Sequence, residues 1–146
     1  MKGHTYLFTP GKWSAFGAYW DEAGTEAAAR GETTISHADD FWFLQGVVDV
    51  AAGPPVSFAH QYEITPFMDN FPSTVWVTHN ESIGKMGGVF TVVQESILSN
   101  FNSEDNQYSG FEVFVRIDKN TYRNEGVFFK GRRRLSSWAT LLSWAE

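Results

Sequence analysis

The chain contains no cysteine, which removes thiolate metal sites, thiol nucleophiles and any disulfide framework. It is also short of positive charge. Eleven Lys and Arg stand against 17 Asp and Glu, a net charge of -6. Phosphate backbones demand a clustered positive field, so no nucleic-acid partner is expected. No apolar run approaches the roughly 18 residues that a membrane-spanning helix needs, so no membrane span is expected. The opening MKGHTYLFTPGKW has no apolar core of a secretory signal, and a cytoplasmic location is expected on that ground. Helical periodicity is nearly absent. There is no Gly-x-Ser-x-Gly elbow, phosphate loop or Gly-x-Gly-x-x-Gly, so hydrolase, nucleotidase and dinucleotide readings lack support. The four histidines are scattered without ligand spacing, and neither a metal nor a cofactor is expected.

What the chain does have is aromatic residues: 13 Phe, six Trp and five Tyr. That content excludes a disordered chain, and 146 residues suit one domain, 1–146, with a sizeable core. The charge is unevenly spread, because residues 1–100 hold only Lys2, Lys12, Arg30 and Lys85 against eleven acids. Residues 101–146 hold seven bases, with Lys130, Arg132, Arg133 and Arg134 clustered. Such a cluster suits a charged strand edge that deters edge-to-edge pairing.

Turn signals recur at short intervals, at 21–24, 38–40, 52–55, 69–72, 87–88, 102–106 and 118–120, each combining Asx or small residues with Gly or Pro. The segments between them are rich in Val, Ile, Thr and aromatics. Strands are predicted near 11–20, 25–37, 41–51, 56–66, 73–83, 88–99, 109–118, 122–134 and 136–145. The last of these also matches a helical spacing through Leu135, Trp138, Leu141, Leu142 and Ala145. The strand reading is preferred because Gly126-Val127-Phe128-Phe129 leads into it without a helix cap. Short turns between consecutive strands make an antiparallel meander, and closure removes its exposed edges. The expected fold is an all-β, up-and-down antiparallel β-barrel of about 8–10 strands.

Period-two alternation assigns faces. Phe58, His60, Tyr62 and Ile64 share one face, as do Val75, Val77 and His79, and as do Phe111, Val113, Val115 and Ile117. The apolar wall of a cavity is expected from Phe58, Tyr62, Val75, Val77, Val93, Phe111, Val113 and Val115. His60, His79 or Arg116 would hold the polar end of a ligand, Arg116 by a bidentate pair with a carboxylate. If the strands around the 69–72 turn pair antiparallel, partner numbers sum to roughly 140 and bring His60 near His79. Those histidines, with Glu63 or Glu81, either bind a divalent metal, serve acid–base chemistry, or simply bond within the wall or to solvent, the last being preferred. Strands 41–51 and 88–99 are apolar on both faces, which suits coverage by a second subunit, a homodimer, or by the C-terminal segment.

Gly11-Lys12-Trp13 opening the first long strand, followed by a meander of this size, resembles the calycin superfamily of lipocalins, fatty-acid-binding proteins and small bacterial lipocalin-like barrels. The resemblance implies that Trp13 packs across the barrel base under one of Arg132, Arg133 or Arg134. The start is also similar to that of nitrobindin-like haem barrels, which ligate haem through a His near the C-terminus. The last His here is His79, so haem is not expected. The expected function is binding of a small hydrophobic or amphipathic molecule. The alternatives are a small isomerase, cyclase or decarboxylase using His60, Tyr62 or Glu63, and a structural oligomeric subunit with a filled barrel.

Overall fold

Ten antiparallel strands follow one another along the chain in the computed structural model, which describes residues 3–145. They are β1 (Gly11–Trp20), β2 (Glu26–His37), β3 (Trp42–Val50), β4 (Val56–Ile64) and β5 (Ser73–Asn80). Then come β6 (Gly84–Val93), β7 (Ser96–Ser103), β8 (Tyr108–Asp118), β9 (Thr121–Lys130) and β10 (Arg133–Trp144). Each pairs with its sequence neighbour, and β10 pairs with β1 from Trp13↔Trp144 to Trp20↔Ser137, so the sheet is a closed up-and-down barrel. No helix occurs among the described residues, and none there is long and apolar enough to cross a membrane.

The predicted strand 88–99 is two strands. Its centre turns at Gln94-Glu95, where Gln94 takes a left-handed φ of 52°, and the chain returns as β7. Gly87-Gly88, read as a turn, lies inside β6 instead, and the reversal sits at 81–83. The Ala-rich stretch 26–37 and the ambiguous 136–145 are both strands, because each has a partner on either side.

One end of the barrel is solid. Trp13 is fully buried, and Tyr6 at 5.4 Å, Trp144 at 5.5 Å and Tyr122 at 5.6 Å each meet it edge-on, a favoured aromatic geometry. Ile35, Leu44, Ile64, Trp76, Phe90, Ile97, Phe114 and Leu142 complete this core. Residues 3–10 form a plug beneath it, with Tyr6 and Leu7 buried. The expectation that Arg132, Arg133 or Arg134 covers Trp13 is therefore corrected. Those arginines lie at the other end, beyond the top of β9. There Arg134 donates to the Asp21 and Glu22 carbonyls, and Arg133 pairs with the Glu22 carboxylate at 2.8 Å. Three aromatic rings perform the capping that the resemblance assigned to arginine.

His4 holds the plug in place. Its Nε2 lies 2.8 Å from the Gln94 carbonyl and its Nδ1 2.7 Å from the Tyr122 hydroxyl. A carbonyl only accepts, so Nε2 carries the hydrogen and the Tyr122 hydroxyl donates to Nδ1. Burial lowers the His4 pKa, in keeping with a neutral ring.

The ladder is weakest between β4 and β5, which pair only from Tyr62↔Thr78 to Ile64↔Trp76. Towards the open end these two strands part, leaving the β4 segment 56–61 unpaired on that side.

Candidate functional site

Within the barrel, burial changes along the axis. Inward side chains near the plug are sealed. In the other half Ala29, Val50, Met86, Ser103 and Ser136 are buried too, while Tyr19, Val48, His60, Tyr62, Phe101, Glu112, Phe128 and Trp138 keep part of their surface. These partly accessible side chains line the upper half of the barrel lumen, its chamber.

Glycines shape that chamber. On β6, β8 and β9 the inward positions Gly88, Gly110 and Gly126 have no Cβ. In each case the space a Cβ would fill is taken by a ring from the next strand: Trp76, Phe101 and Trp138 respectively. On β3, Gly46 receives the His60 ring from β4 in the same way. The wall is thereby rich in aromatic rings, with Tyr62 stacked on the buried Trp76 at 4.3 Å and Phe128 stacked on Tyr108 at 5.7 Å. Near the mouth, Tyr19 and Phe58 meet at 5.9 Å across the small inward residues of β2 and β3.

Into this apolar lining projects one carboxyl group, that of Glu112 on β8. Its Oε1 accepts from Asn124 Nδ2 at 3.0 Å and from Trp138 Nε1 at 3.1 Å. The indole reaches it across the intervening β9 because Gly126 leaves the way clear. Thr140 Oγ1 donates to Asn124 Oδ1 at 3.3 Å, which turns the amide nitrogen towards the carboxyl. Burial raises the Glu112 pKa, against the two hydrogen bonds that favour the charged form. Burial also lowers the pKa of His60 and raises that of Tyr62, so both rings are held neutral.

A buried acid of this kind leaves a signature in stability. When the folded pKa exceeds the unfolded one, the folded state holds the proton more tightly. The favourable contribution is full below the ordinary carboxylate range and is lost as pH rises through the raised value. Glu112→Gln is expected to match the parent at acid pH and to exceed it towards neutrality. The gain is about 1.4 kcal/mol for each unit by which the carboxyl is raised. Urea unfolding of both proteins across that pH range measures the difference, and parallel curves would remove the assignment.

Of the residues singled out from sequence, Phe58, His60 and Tyr62 do face the chamber. Their partners from other strands do not. Val77 and His79 alternate with the buried Trp76 and so point outwards, and Val93 is 51% exposed on the outer face of β6. Val113 lies outside for the same reason, between inward Glu112 and buried Phe114, and Val75, Phe111 and Val115 share its side. The pairing frame summing to 140 is correct, as Tyr62↔Thr78 shows. His60 and His79 nevertheless lie on opposite faces of the sheet and form no pair. Arg116 points into the base rim, where it pairs with Glu95 at 2.8 Å and donates to the Gly3 carbonyl at 2.6 Å; it is a strap on the plug. No group of His, Asp or Glu among the described residues is arranged to hold a metal ion. A separate groove on the outer surface, lined by Pro66, Met68, Phe71, Val75 and Val89, carries no ionisable side chain and lies away from Glu112.

No protein-family model matches the sequence, and no curated protein does. Among solved structures, the S-type phycobiliprotein lyase of Guillardia theta is similar at 6% identity, over 94% of this chain and 89% of that one, with a TM-score of 0.52. An AttH-type protein of Nitrosomonas europaea matches at 8% identity over 90% of this chain and 48% of its own, with a TM-score of 0.30. An N-terminal dehydratase from the difficidin assembly line matches at 8% identity, over 97% of this chain and 80% of its own, with a TM-score of 0.29. The first likeness is one of fold alone. The other two are too slight to carry an argument.

Proposed function

We propose that the open half of the barrel binds a small hydrophobic or amphipathic molecule. The observation that carries this reading is the contrast along the axis. Base residues such as Trp13, Ile64 and Ile97 have no exposure, while Tyr62, Phe101, Phe128, Trp138 and Glu112 above them keep part of their surface. Ligand sites are apolar hollows with few, well-placed polar groups, and an aromatic wall around one hydrogen-bonded carboxyl fits that description. The unpaired segment of β4, with His60 and Phe58 beside it, offers a lateral approach to the chamber. The phycobiliprotein lyase likeness supports the architecture in which this reading is placed.

The test is a fluorescence titration with the neutral apolar probe N-phenyl-1-naphthylamine. Saturable 1:1 enhancement is expected, with quenching of tryptophan emission. A response that stays linear in probe concentration, without quenching, would overturn the reading.

Glu112 also favours a second reading, an enzyme of the isomerase or cyclase type. A buried carboxyl whose pKa is raised by its apolar surroundings is suited to general-acid work. For that reading Glu112, with Tyr62 or His60, replaces the His60–His79 pair suggested by the sequence.

A further inference from the structure

We infer that the ligand of this chamber presents a hydrogen-bond donor, a protonated amine or an equivalent N–H group, to Glu112, and that free carboxylates such as fatty acids are excluded. This inference rests on the proposed binding role of the barrel interior and specifies its chemistry.

The first argument is the charge inventory of the interior. Along the inward positions of all ten strands, between plug and mouth, there is one carboxyl and no lysine or arginine. The nearest cations are Arg116, committed to Glu95 and Gly3 at the plug, and Lys130, which is exposed at the mouth over the Tyr108 ring. A carboxylate ligand entering head first would meet Glu112 with nothing to neutralise it. Desolvating a carboxylate with no cation to compensate it is costly.

The second argument is the direction of the hydrogen bonds. Thr140 orients Asn124, and Asn124 and Trp138 both donate to the same oxygen, Oε1. Oε2 accepts no hydrogen bond from any described residue. Two fixed donors prepare the group to be an acceptor, and its second oxygen is left for a donor that the protein does not supply. Without a ligand, burial disfavours the charged form of the group. A cation arriving at Oε2 would favour the charged form, displace the proton and complete a charge-assisted pair.

The third argument is independent of Glu112. The rings beside Gly110 and Gly126, Phe101 and Trp138, keep part of their surface on the inner side of the sheet, and ring faces attract cations and repel anions. Wall and carboxyl therefore select the same ligand charge.

The experiment displaces N-phenyl-1-naphthylamine from the protein with dodecylamine, dodecanol and laurate, matched in chain length and kept below their micellar concentrations. Dodecylamine is expected to compete at least about tenfold more tightly than laurate, one unit of charge preference in a partly desolvated site. In Glu112→Gln that preference is expected to collapse. Laurate binding as tightly as dodecylamine to the parent protein overturns the inference without recourse to any variant, and leaves the binding reading intact. Unchanged dodecylamine affinity in a folded Glu112→Gln also overturns it. Failure of the probe and all three competitors to bind overturns the binding reading and this inference together.

Discussion

Trp13→Ala is expected to lose about 3–5 kcal/mol of stability, the range for deleting a fully buried large aromatic side chain. The indole has no exposed surface and sits where three rings converge, one from the plug (Tyr6), one from β9 (Tyr122) and one from β10 (Trp144). Its removal leaves a hole bounded by edge-on rings from three separate elements, which cannot collapse together onto one another. Against a typical total of about 5–15 kcal/mol, a loss of this size unfolds much of the population under mild denaturant. The measurement is the urea midpoint at constant slope. Trp20→Ala is the control, because Trp20 lies at the opposite rim, where its indole donates to Glu26 in an exposed hydrogen bond. A control loss within about 1 kcal/mol is expected. Equal losses in the two variants would show that the base is not the stabilising centre.

Gly17→Ala is expected to be nearly as damaging, for a different reason. Gly17 faces Thr140 and Ala29 in the ladders of β1, and the space for a Cβ is occupied by the backbone of β10 at Ala139 and Thr140. A side chain can swing aside, but a paired backbone moves only by parting the strands. A loss of about 3 kcal/mol or more is expected, at the upper end of overpacking effects. Gly87→Ala is the matched comparison on β6, where the nearest atom to a new Cβ is the Trp76 carbonyl oxygen at an ordinary 3.6 Å. It should be neutral or slightly stabilising, since glycine within a strand carries an entropic penalty. Thermal melts of both variants decide it, and similar midpoints would refute the packing argument.

The architecture was legible because turn chemistry and period-two patterning are local, and each strand pairs mainly with its sequence neighbours. The register around 69–72 followed from the turn position alone. Which face turned inwards was legible only where one face was plainly polar. β4 satisfies that condition, since Ser57, Ala59, Gln61 and Glu63 oppose Phe58, His60, Tyr62 and Ile64, and its inward residues were identified correctly. β8 does the opposite. Phe111, Val113, Val115 and Ile117 look like a core face, yet they lie outside, and the charged or small residues Gly110, Glu112 and Arg116 point inwards with Tyr108 and Phe114. Where the inner face is itself built of glycines and polar residues, alternation fixes a strand's two faces but not which of them is interior. Glu112 was overlooked because it stood on the face assigned to solvent. The glycines opposite Trp76, Phe101 and Trp138 are the signal that would have found it, since each needs an inward ring next to it.

The closure of β1 on β10 has a kinetic consequence. Every other ladder joins consecutive strands across a short turn, whereas this one unites segments from opposite ends of the described chain. Bringing such distant segments together costs about 2 kcal/mol more in loop entropy than a hairpin does. Few contacts repay that cost until Trp13, Tyr122 and Trp144 meet. The meander can therefore assemble rapidly and wait, open and with two bare edges, for the final seam. That interval is when the chain is most exposed to pairing with other molecules. The aromatic cluster at the base then acts as a latch, setting how long the interval lasts as well as how firmly the closed barrel holds.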